Sequence, residues 1–446
     1  MAGCDAVKED QTGEAQSSDA YASTYEPMPS EPVLIVNATI LTGTGEKIED
    51  GELLMRDGRI AAVGQSLEAP EGVKTIDAKG GYVTPGIIDV HSHIGDYAVP
   101  AVDAHSDGNE ATSPNTAEVW AEHSVWPQDP AFTTALAGGV TTLQILPGSA
   151  NLFGGRGVTL KNVPGLSVMD MKFPGAPYGL KMACGENPKR VYGSRGSAPS
   201  TRMGNVAGYR SAWIEAKEYL EEIEAAEAGG GDMPTRDLKL ETLAGVLTGD
   251  IIIHNHCYRA DEMLVMLEIA EEFDYEVGTF HHAVEAYKIA DELAAAGTCA
   301  AVWADWWGFK MEAFDGVRVN APLVDAAGGC AIIHSDSAVG IQRLNQEAAK
   351  AMAAANRVGM EITPAHAMRW LSLNAAKSLG IAEQTGSLEE GKMADVVIWT
   401  GNPFSVYSHA EKVFIDGALA WDMNDPTFQP ESDFELGIIE VEGELQ

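Results

Sequence analysis

Histidine and aspartate side chains occur where short apolar runs of this sequence end. His91 and His93 follow the run at 87–90, and alternate residues of a strand point to the same side, so both imidazoles are predicted to project into one space. The same placement recurs after three further runs, which end in His256 with His254, in His282 with His281, and in Asp336 with His334. Four strand ends that offer imidazole or carboxylate groups predict a metal centre rather than isolated surface histidines.

Imidazole and carboxylate groups together form a ligand set that suits Zn²⁺, and Mn, Co or Fe are alternatives. We expect one or two divalent metals, and a second metal needs a bridging group. Glu186 lies at a predicted strand end, where a ligand belongs, whereas Lys181 lies mid-strand and serves only if its amine is carbamylated. The sequence leaves both residues open as the bridge, with Glu186 preferred.

The elements that must position these groups alternate between strand-like runs and helical periodicity from residue 83 to residue 385. Runs such as 140–146 and 251–253 are separated by segments of helical spacing such as 261–273. Repeated strand–helix units favour the α/β class and a (β/α)8 barrel of the TIM type, which places its chemistry at the carboxyl ends of the strands. A charged helical segment near residues 205–231 is predicted to be an insertion on this barrel.

Short strands with hairpin turns flank the predicted barrel on both sides. Asp57 and Gly58 are typical of a hairpin turn within residues 32–82, and a similar pattern returns in residues 386–446. We therefore expect a small composite β-sandwich domain that is built from both chain ends. The acidic tail after Asp422 is predicted to cover or extend it.

Length and charge restrict the partners of the protein. The chain has 446 residues, which predicts roughly two or three domain-sized units. Its 29 Lys and Arg residues against 66 Asp and Glu residues give a net charge of −37. Such a charge repels phosphate backbones and anionic lipids, so we expect no nucleic-acid partner. The expected partner is a small-molecule substrate. We also expect a homo-oligomer.

The cysteines and the N-terminus bear on the cellular compartment. The five cysteines are scattered without a CxxC pair, which argues against a disulfide framework and a structural zinc site. Small residues before Cys4 resemble the end of a bacterial lipoprotein signal, and residues 1–31 are predicted to be a disordered acidic tether. The cell envelope or periplasm is therefore preferred, with a possible N-terminal lipid anchor as the only membrane contact; a cytoplasmic protein is the alternative.

Two motifs at opposite ends of residues 32–425 resemble a known family. PGIIDVHSH at residues 85–93 is similar to the strand-1 signature of the amidohydrolase superfamily, and GSLEEGKMADVVI at 386–398 is similar to the return into its composite β domain. Three further segments resemble the imidazolonepropionase-like group of that superfamily: KMACGENPKR at 181–190, HCYRAD at 256–261 and HAVEAYK at 282–288. The sequence departs from these relatives at Tyr258, where they often carry a second histidine, and at His281.

The resemblance implies a (β/α)8 barrel with one or two metals that activate water. By position, His91, His93, His256 and His282 are implied metal ligands, and Asp336 is implied to bind metal and to handle the proton. Members of the family use either a carbamylated lysine or a glutamate as the bridge, which keeps Lys181 and Glu186 both open. The implied activity is metal-dependent hydrolysis of a C–N bond in an amide, a dipeptide or an N-acyl amino acid.

Two alternatives to this activity are a cyclic-amide hydrolase or ring deaminase, and a non-catalytic structural relative that has lost its metal. The intact ligand set argues against the second. Further candidates surround the centre. The residues expected to contact the substrate are Tyr258, Arg259, His334 and Trp306, and the cation for a substrate carboxylate is Arg259 or Lys310. A metal ligand is expected to be oriented by His334, Asp89 or His254, and an aromatic wall, lid or subunit contact is expected from Trp303, Trp306, Trp307 and Phe309. Residues 154–157 are expected to form a loop near the barrel mouth.

Overall fold

The structure is a computed structural model that describes residues 21–428. Cys4 and most of the predicted tether lie outside the described residues, as does the acidic tail from residue 429 onward. Among residues 21–428, none of the helices combines the length and the hydropathy of a membrane-spanning segment.

The described residues form sixteen strands and ten α-helices. The strands are β1 Val33–Leu41, β2 Lys47–Arg56, β3 Arg59–Gly64, β4 Lys74–Asp77, β5 Tyr82–Pro85, β6 Ile87–Ser92, β7 Val140–Ile145, β8 Phe153–Lys161, β9 Tyr178–Ala183, β10 Ile251–Cys257, β11 Thr279–His282, β12 Cys299–Val302, β13 Cys330–Ile333, β14 Val396–Trp399, β15 Ala410–Ile415 and β16 Ala418–Asp422. The helices are α1 Pro130–Ala137, α2 Glu186–Gly193, α3 Arg202–Glu227, α4 Leu238–Leu247, α5 Ala260–Phe273, α6 Ala290–Ala296, α7 Asn320–Ala326, α8 Leu344–Arg357, α9 Pro364–Met368 and α10 Leu373–Ser378.

The barrel predicted from the alternating pattern is confirmed. Strands β6 to β13 form one eight-stranded sheet in chain order, and helices lie between most of them. The sheet is nearly closed, because the backbone N–H of Asp336 after β13 donates to the carbonyl of His91 on β6 at 3.0 Å. Every residue of β6 and of β7 is buried, as expected for strands that are covered on both faces.

One strand departs from an all-parallel barrel. β8 runs antiparallel to both β7 and β9, and it contains residues 154–157, which the sequence had predicted to be a loop. Glycine is needed here because the chain passes close to a neighbour: a Cβ atom on Gly155 would lie 2.4 Å from the carbonyl oxygen of Val119, and its φ is +113°.

The composite β domain is also confirmed. Strands from both chain ends form a second sheet in the order β16-β15-β14-β5-β1-β2-β3, and β4 pairs with β1. A buried lysine joins this sheet to the barrel. Lys161 at the end of β8 donates through Nζ to Asp395 Oδ1 at 3.0 Å and to Asp416 Oδ1 at 3.0 Å. These three buried side chains thus link the barrel to the second sheet.

Residues 21–28, predicted to belong to a tether, lie against the folded domains. The backbone N–H of Thr24 donates to the carbonyl of Met169 at 3.0 Å, Ser23 Oγ donates to the carbonyl of Lys172 at 2.6 Å, and the Tyr25 hydroxyl donates to Asp416. These contacts attach the segment to both the barrel and the second sheet.

The prediction against disulfides is wrong. Cys184 is bonded to Cys257, and Cys299 is bonded to Cys330. Residues far apart in the chain become neighbours because adjacent parallel strands carry them: Cys299 pairs in register with Cys330 across β12 and β13. Cys184 likewise follows β9, directly beside the end of β10 at Cys257.

Candidate active site

The predicted site residues meet at the carboxyl ends of the parallel barrel strands. His91 lies on β6 and His93 directly after it, Lys181 lies on β9, His256 on β10, His282 at the end of β11, and His334 and Asp336 directly after β13. Within the described residues, two sets offer ligand atoms that all lie within 4.8 Å of one another: His91, His93 and Asp336, and His91, His282 and His334. The fold therefore gathers imidazoles and a carboxylate in one place.

Asp336 is the carboxylate of this cluster. Its Oδ1 lies 3.1 Å from His93 Nε2 and 3.6 Å from His91 Nε2, and its Oδ2 lies 3.9 Å from His282 Nδ1. Burial acts to raise its pKa, but the hydrogen bond from His93 and the neighbouring charges outweigh burial and lower it. Asp336 is consequently ionised at neutral pH and able to accept a proton.

The imidazoles are held in the neutral form that binds metal. Burial is the main cause that lowers the pKa of His91, His256 and His282 well below the ordinary value, and it lowers the pKa of His334 to about 3. A buried imidazole that stays neutral keeps a lone pair on one ring nitrogen.

Several buried ring atoms lack a partner within the described structure. Nδ1 of His256, of His282 and of His334 each makes no hydrogen bond, although buried polar atoms normally have one. His334 accepts a hydrogen bond at Nε2 from the backbone N–H of His282 at 3.3 Å, so its Nδ1 carries the proton. Unpartnered donors and lone pairs in a closed cluster fit a bound metal and a polar substrate.

Lys181 belongs to the cluster, whereas Glu186, which the sequence preferred as the bridge, lies outside it. The Lys181 side chain is fully buried, and Nζ lies 3.2 Å from His91 Nε2. Burial lowers its pKa to about 7, and the charge of Asp336 opposes this shift. A large fraction of the amine is therefore neutral at physiological pH, the form that carbamylation requires.

Glu186 lies at the rim instead. Gly185 turns the chain out of the barrel, with φ of +77°, and Glu186 is the first residue of α2. Its backbone N–H donates to Glu312 Oε1 at 2.8 Å, and its carboxylate faces Lys310 Nζ at 3.9 Å. The structure does not bring it into either set of ligand atoms described above.

A cation and aromatic rings line the mouth next to the cluster. Lys310 Nζ lies 3.8 Å from the centre of the Tyr258 ring and donates to Asn187 Oδ1 at 3.2 Å. Tyr258 stacks on His282 with a centroid distance of 5.2 Å. Arg259, the other predicted cation, pairs with Asp261 at 2.8 Å on the outer rim. Lys310 Nζ also faces Glu186 at 3.9 Å and Glu312 at 3.7 Å, so both predicted cations are paired, and Lys310 is the one that reaches the cluster through Tyr258.

The predicted aromatic wall touches the cluster directly. Trp303 stacks on His282 at 4.3 Å, and Trp306 stacks on Trp303 at 4.8 Å. His282 and these two indoles line a cavity of about 200 Å³. Trp307 lines the same cavity, whereas Phe309 packs on the edge of Trp303.

Of the three residues predicted to orient a ligand, Asp89 acts through the backbone. It accepts the N–H of His91 at 3.2 Å and that of Ser335 at 3.1 Å, and thereby ties β6 to the segment that carries Asp336. Burial raises the pKa of Asp89 to about 7. His334 meets the backbone of His282, and His254 contacts His281.

A family model, curated relatives and solved structures match this chain. The sequence model of the amidohydrolase family matches residues 82–420. The chain belongs to the amidohydrolase family. Members of this family are hydrolases that act on C–N bonds, and they are generally metal-dependent.

Two curated relatives and one solved structure each match more than four fifths of this chain. Amidohydrolase tasK of Hapsidospora irregularis is 32% identical over 432 residues, which cover 88% of this chain but 43% of that protein, so this amidohydrolase spans less than half the length of that relative. The 5-methylthioadenosine/S-adenosylhomocysteine deaminase of Symbiobacterium thermophilum is 24% identical over 412 residues, covering 82% of this chain and 85% of that protein. The crystal structure of an amidohydrolase from Thermotoga maritima MSB8 matches with a TM-score of 0.81 and 36% identity, over 87% of this chain and 100% of that chain.

Sequence reasoning missed two features of the site. It assigned His334 to substrate or to orientation, and the structure adds that a ring nitrogen of His334 lies within 4.8 Å of ring nitrogens of His91 and His282. The signal was present, because His334 precedes Asp336 by two residues, as His91 precedes His93. The two hydrogen-bonding contacts of the His281 ring, one with His91 and one with His254, had no signal in the linear sequence.

Proposed function

We propose that this amidohydrolase is a metal-dependent hydrolase that cleaves the C–N bond of an amide, namely a dipeptide or an N-acyl amino acid. The observation that carries the proposal is the cluster of neutral imidazoles, an ionised Asp336 and the buried Lys181 at the strand ends. This donor set fits Zn²⁺ or a similar divalent cation.

The residues that would hold a metal are His91, His93, His282 and Asp336, and His256 lies beside them with its ring 4.5 Å from that of His282. A metal bound here supplies a water of lowered pKa and polarises the scissile carbonyl. If the neutral Lys181 amine added carbon dioxide and released a proton, the resulting carbamate would offer two oxygen atoms in place of the amine and would serve as the bridging ligand that a second metal needs.

Asp336 is proposed to move the proton. An ionised carboxylate next to the cluster accepts the proton of the attacking water and then donates it to the leaving nitrogen, as a general base and then a general acid. His334 Nδ1–H is a buried donor without a partner in the described structure, and it suits the oxygen of the substrate carbonyl as negative charge develops there.

The mouth supports a substrate that carries a carboxylate and an apolar group. Lys310 offers a positive charge beside Tyr258, and the cavity next to His282 is lined by indoles. A carboxylate-bearing amide with an aromatic or branched side chain meets both features, which favours dipeptides and N-acyl amino acids over uncharged ring substrates.

Two assays on one preparation test this proposal. The metal-loaded protein is incubated with dipeptides, N-acyl amino acids and cyclic ureides, and also with nucleosides, while free amino acid and ammonia are measured separately. Release of amino acid supports the proposal, whereas ammonia from a nucleoside or opening of a cyclic ureide alone supports the alternative activities. Lys310→Met should raise KM for substrates that carry a carboxylate and leave KM for uncharged amides unchanged. Lys239→Met on the outer helix α4 is the matched control and should change neither KM.

The two disulfides support maturation in an oxidising compartment, because such bonds are rare in the reducing cytosol of mesophiles. We infer an envelope or periplasmic location on this ground. Thiol titration of the denatured protein from cells that were alkylated before lysis tests it: four protected cysteines support the location, and four alkylated ones contradict it.

A further inference from the structure

A chain of three imidazoles runs from the candidate metal centre down into the barrel. His91 Nδ1 lies 2.9 Å from His281 Nδ1, and His281 Nε2 lies 2.9 Å from His254 Nδ1. The chain ends at Gln144 on β7, whose amide Nε2 lies 3.1 Å from His254 Nε2. All four side chains are buried, with at most 1% of their surface exposed.

This chain has only two self-consistent directions. Neither His254 nor His281 has a carboxylate partner among the hydrogen bonds of the described residues, so a positive charge on either ring would be unpaired in the interior. Each neutral ring carries one N–H and one lone pair, and every contact in the chain needs one hydrogen. Fixing the proton at one end therefore fixes it along the whole chain.

In the first direction the Gln144 amide N–H donates to His254, and each ring donates onward. The proton of His91 then lies on Nε2, the atom that faces Lys181 and Asp336. A protonated Nε2 has no lone pair for a metal, so this direction disables His91 as a ligand at that atom.

In the second direction Gln144 accepts through Oε1, His254 holds its proton on Nε2, and His91 holds its proton on Nδ1. Nε2 of His91 is then free to bind a metal. Turning the Gln144 amide breaks no hydrogen bond to Oε1, because Oε1 has no hydrogen-bond partner within the described structure. Gly179 leaves room for this junction: a Cβ atom there would lie 2.7 Å from Gln144 Nε2 and 2.7 Å from His254 Cδ2.

We propose that Gln144, through His254 and His281, is a positioning residue that accepts the last hydrogen bond of the chain and thereby keeps the Nε2 lone pair of His91 available to metal. The inference rests on the metal-binding part of the proposed function. Hydrogen-bonded partners behind a ligating histidine typically change metal affinity by about 10- to 100-fold.

Two substitutions at one position separate this role from packing. Gln144→Glu keeps an acceptor and removes the donor, whereas Gln144→Met keeps the approximate size and removes both. Thr142→Val is the matched control, because Thr142 is buried on the same strand and its hydroxyl has no partner in the described structure. The apoprotein of each full-length variant is titrated with Zn²⁺ in competition with a chromophoric chelator.

Gln144→Met should lower Zn²⁺ affinity by about 10- to 100-fold, while Gln144→Glu and Thr142→Val keep that of the wild type. A packing role predicts the reverse order, because a buried glutamate is then the worse replacement. Equal affinity in wild type and Gln144→Met, or an equal loss in both Gln144 variants, would overturn the inference. Wild-type protein that binds no Zn²⁺ contradicts the proposed function itself, and this inference with it.

A measurement on unmodified protein keeps the inference testable if Gln144→Met does not fold. In zinc-loaded protein labelled with ¹⁵N at histidine, long-range proton–nitrogen spectra report which ring nitrogen carries the hydrogen. We expect the proton of His254 on Nε2 and that of His91 on Nδ1. A proton on Nδ1 of His254 contradicts the inferred direction of the chain.

Discussion

Replacing the buried Lys181 by an apolar residue should stabilise the metal-free protein. Its side chain is fully buried, and burial lowers its pKa to about 7 from the ordinary 10.5. At about 1.4 kcal/mol for each pH unit, this difference corresponds to about 5 kcal/mol of destabilisation by the charged amine. Lys181→Met removes that cost, and it also loses a hydrogen bond to His91 that is worth about 1 kcal/mol. We therefore expect the apo variant to be about 4 kcal/mol more stable than wild type at pH 6.

The advantage of the variant should disappear as the pH rises. The folded pKa lies below the unfolded one, so between pH 7 and 10.5 the unfolded wild-type chain binds one proton that the folded chain does not. Wild-type stability thus rises relative to the variant by about 1.4 kcal/mol for each pH unit in this window. Below pH 7 both states hold the proton, and the difference between the proteins is constant.

The assay is urea unfolding of both proteins at pH 6, 7.5 and 9 in EDTA and in buffers freed of carbon dioxide, so that neither metal nor a carbamate contributes. Wild type and variant are compared only at the same pH, which cancels the titration of all other groups. A variant that is less stable at pH 6, or a difference that does not change with pH, would refute the reasoning about Lys181.

Three further predictions concern the proton carrier, the domain junction and the disulfides. Asp336→Asn should keep its circular dichroism spectrum and lower kcat about 10²- to 10⁴-fold; an active variant would overturn the proton-transfer role. Lys161→Met should lower the free energy of unfolding by about 3–5 kcal/mol, opposite in sign to Lys181→Met, because it leaves Asp395 and Asp416 buried without their partner; unchanged stability in urea would contradict this. Reduction of the Cys184–Cys257 and Cys299–Cys330 bonds should cost about 2–4 kcal/mol each, measured by unfolding with and without reductant, and no change in midpoint would show that they do not stabilise the fold.

The sequence predicts the architecture because strands and helices leave periodic patterns. The run at 87–90 followed by His91 and His93 indicates both a buried strand and the direction of two side chains, and β6 has this form. The composite sheet is also predictable, since hairpin signals occur at both chain ends. Residues 154–157 are the exception: their glycines resemble a turn, yet they permit close approach of the antiparallel strand β8 to Val119.

Features that depend on contacts between strands cannot be read from the linear order. Cys299 and Cys330 are 31 residues apart but face each other in register. The choice between Lys181 and Glu186 depends on whether the chain has already turned out of the barrel, and Gly185 makes that turn one residue before Glu186. Desolvation, which lowers the pKa of Lys181, likewise exists only in the folded barrel.

A metal titration of the apoprotein that follows hydrolysis of a dipeptide or N-acyl amino acid tests most directly whether the strand-end cluster is a catalytic metal centre. Activity should be absent in EDTA and return in proportion to bound Zn²⁺, Mn²⁺ or Co²⁺. It should reach its maximum at one or two equivalents in the wild type and stay absent in a His91→Ala, His93→Ala double variant. Full hydrolysis by metal-free protein, or a wild-type protein that binds none of the three metals, would contradict this prediction.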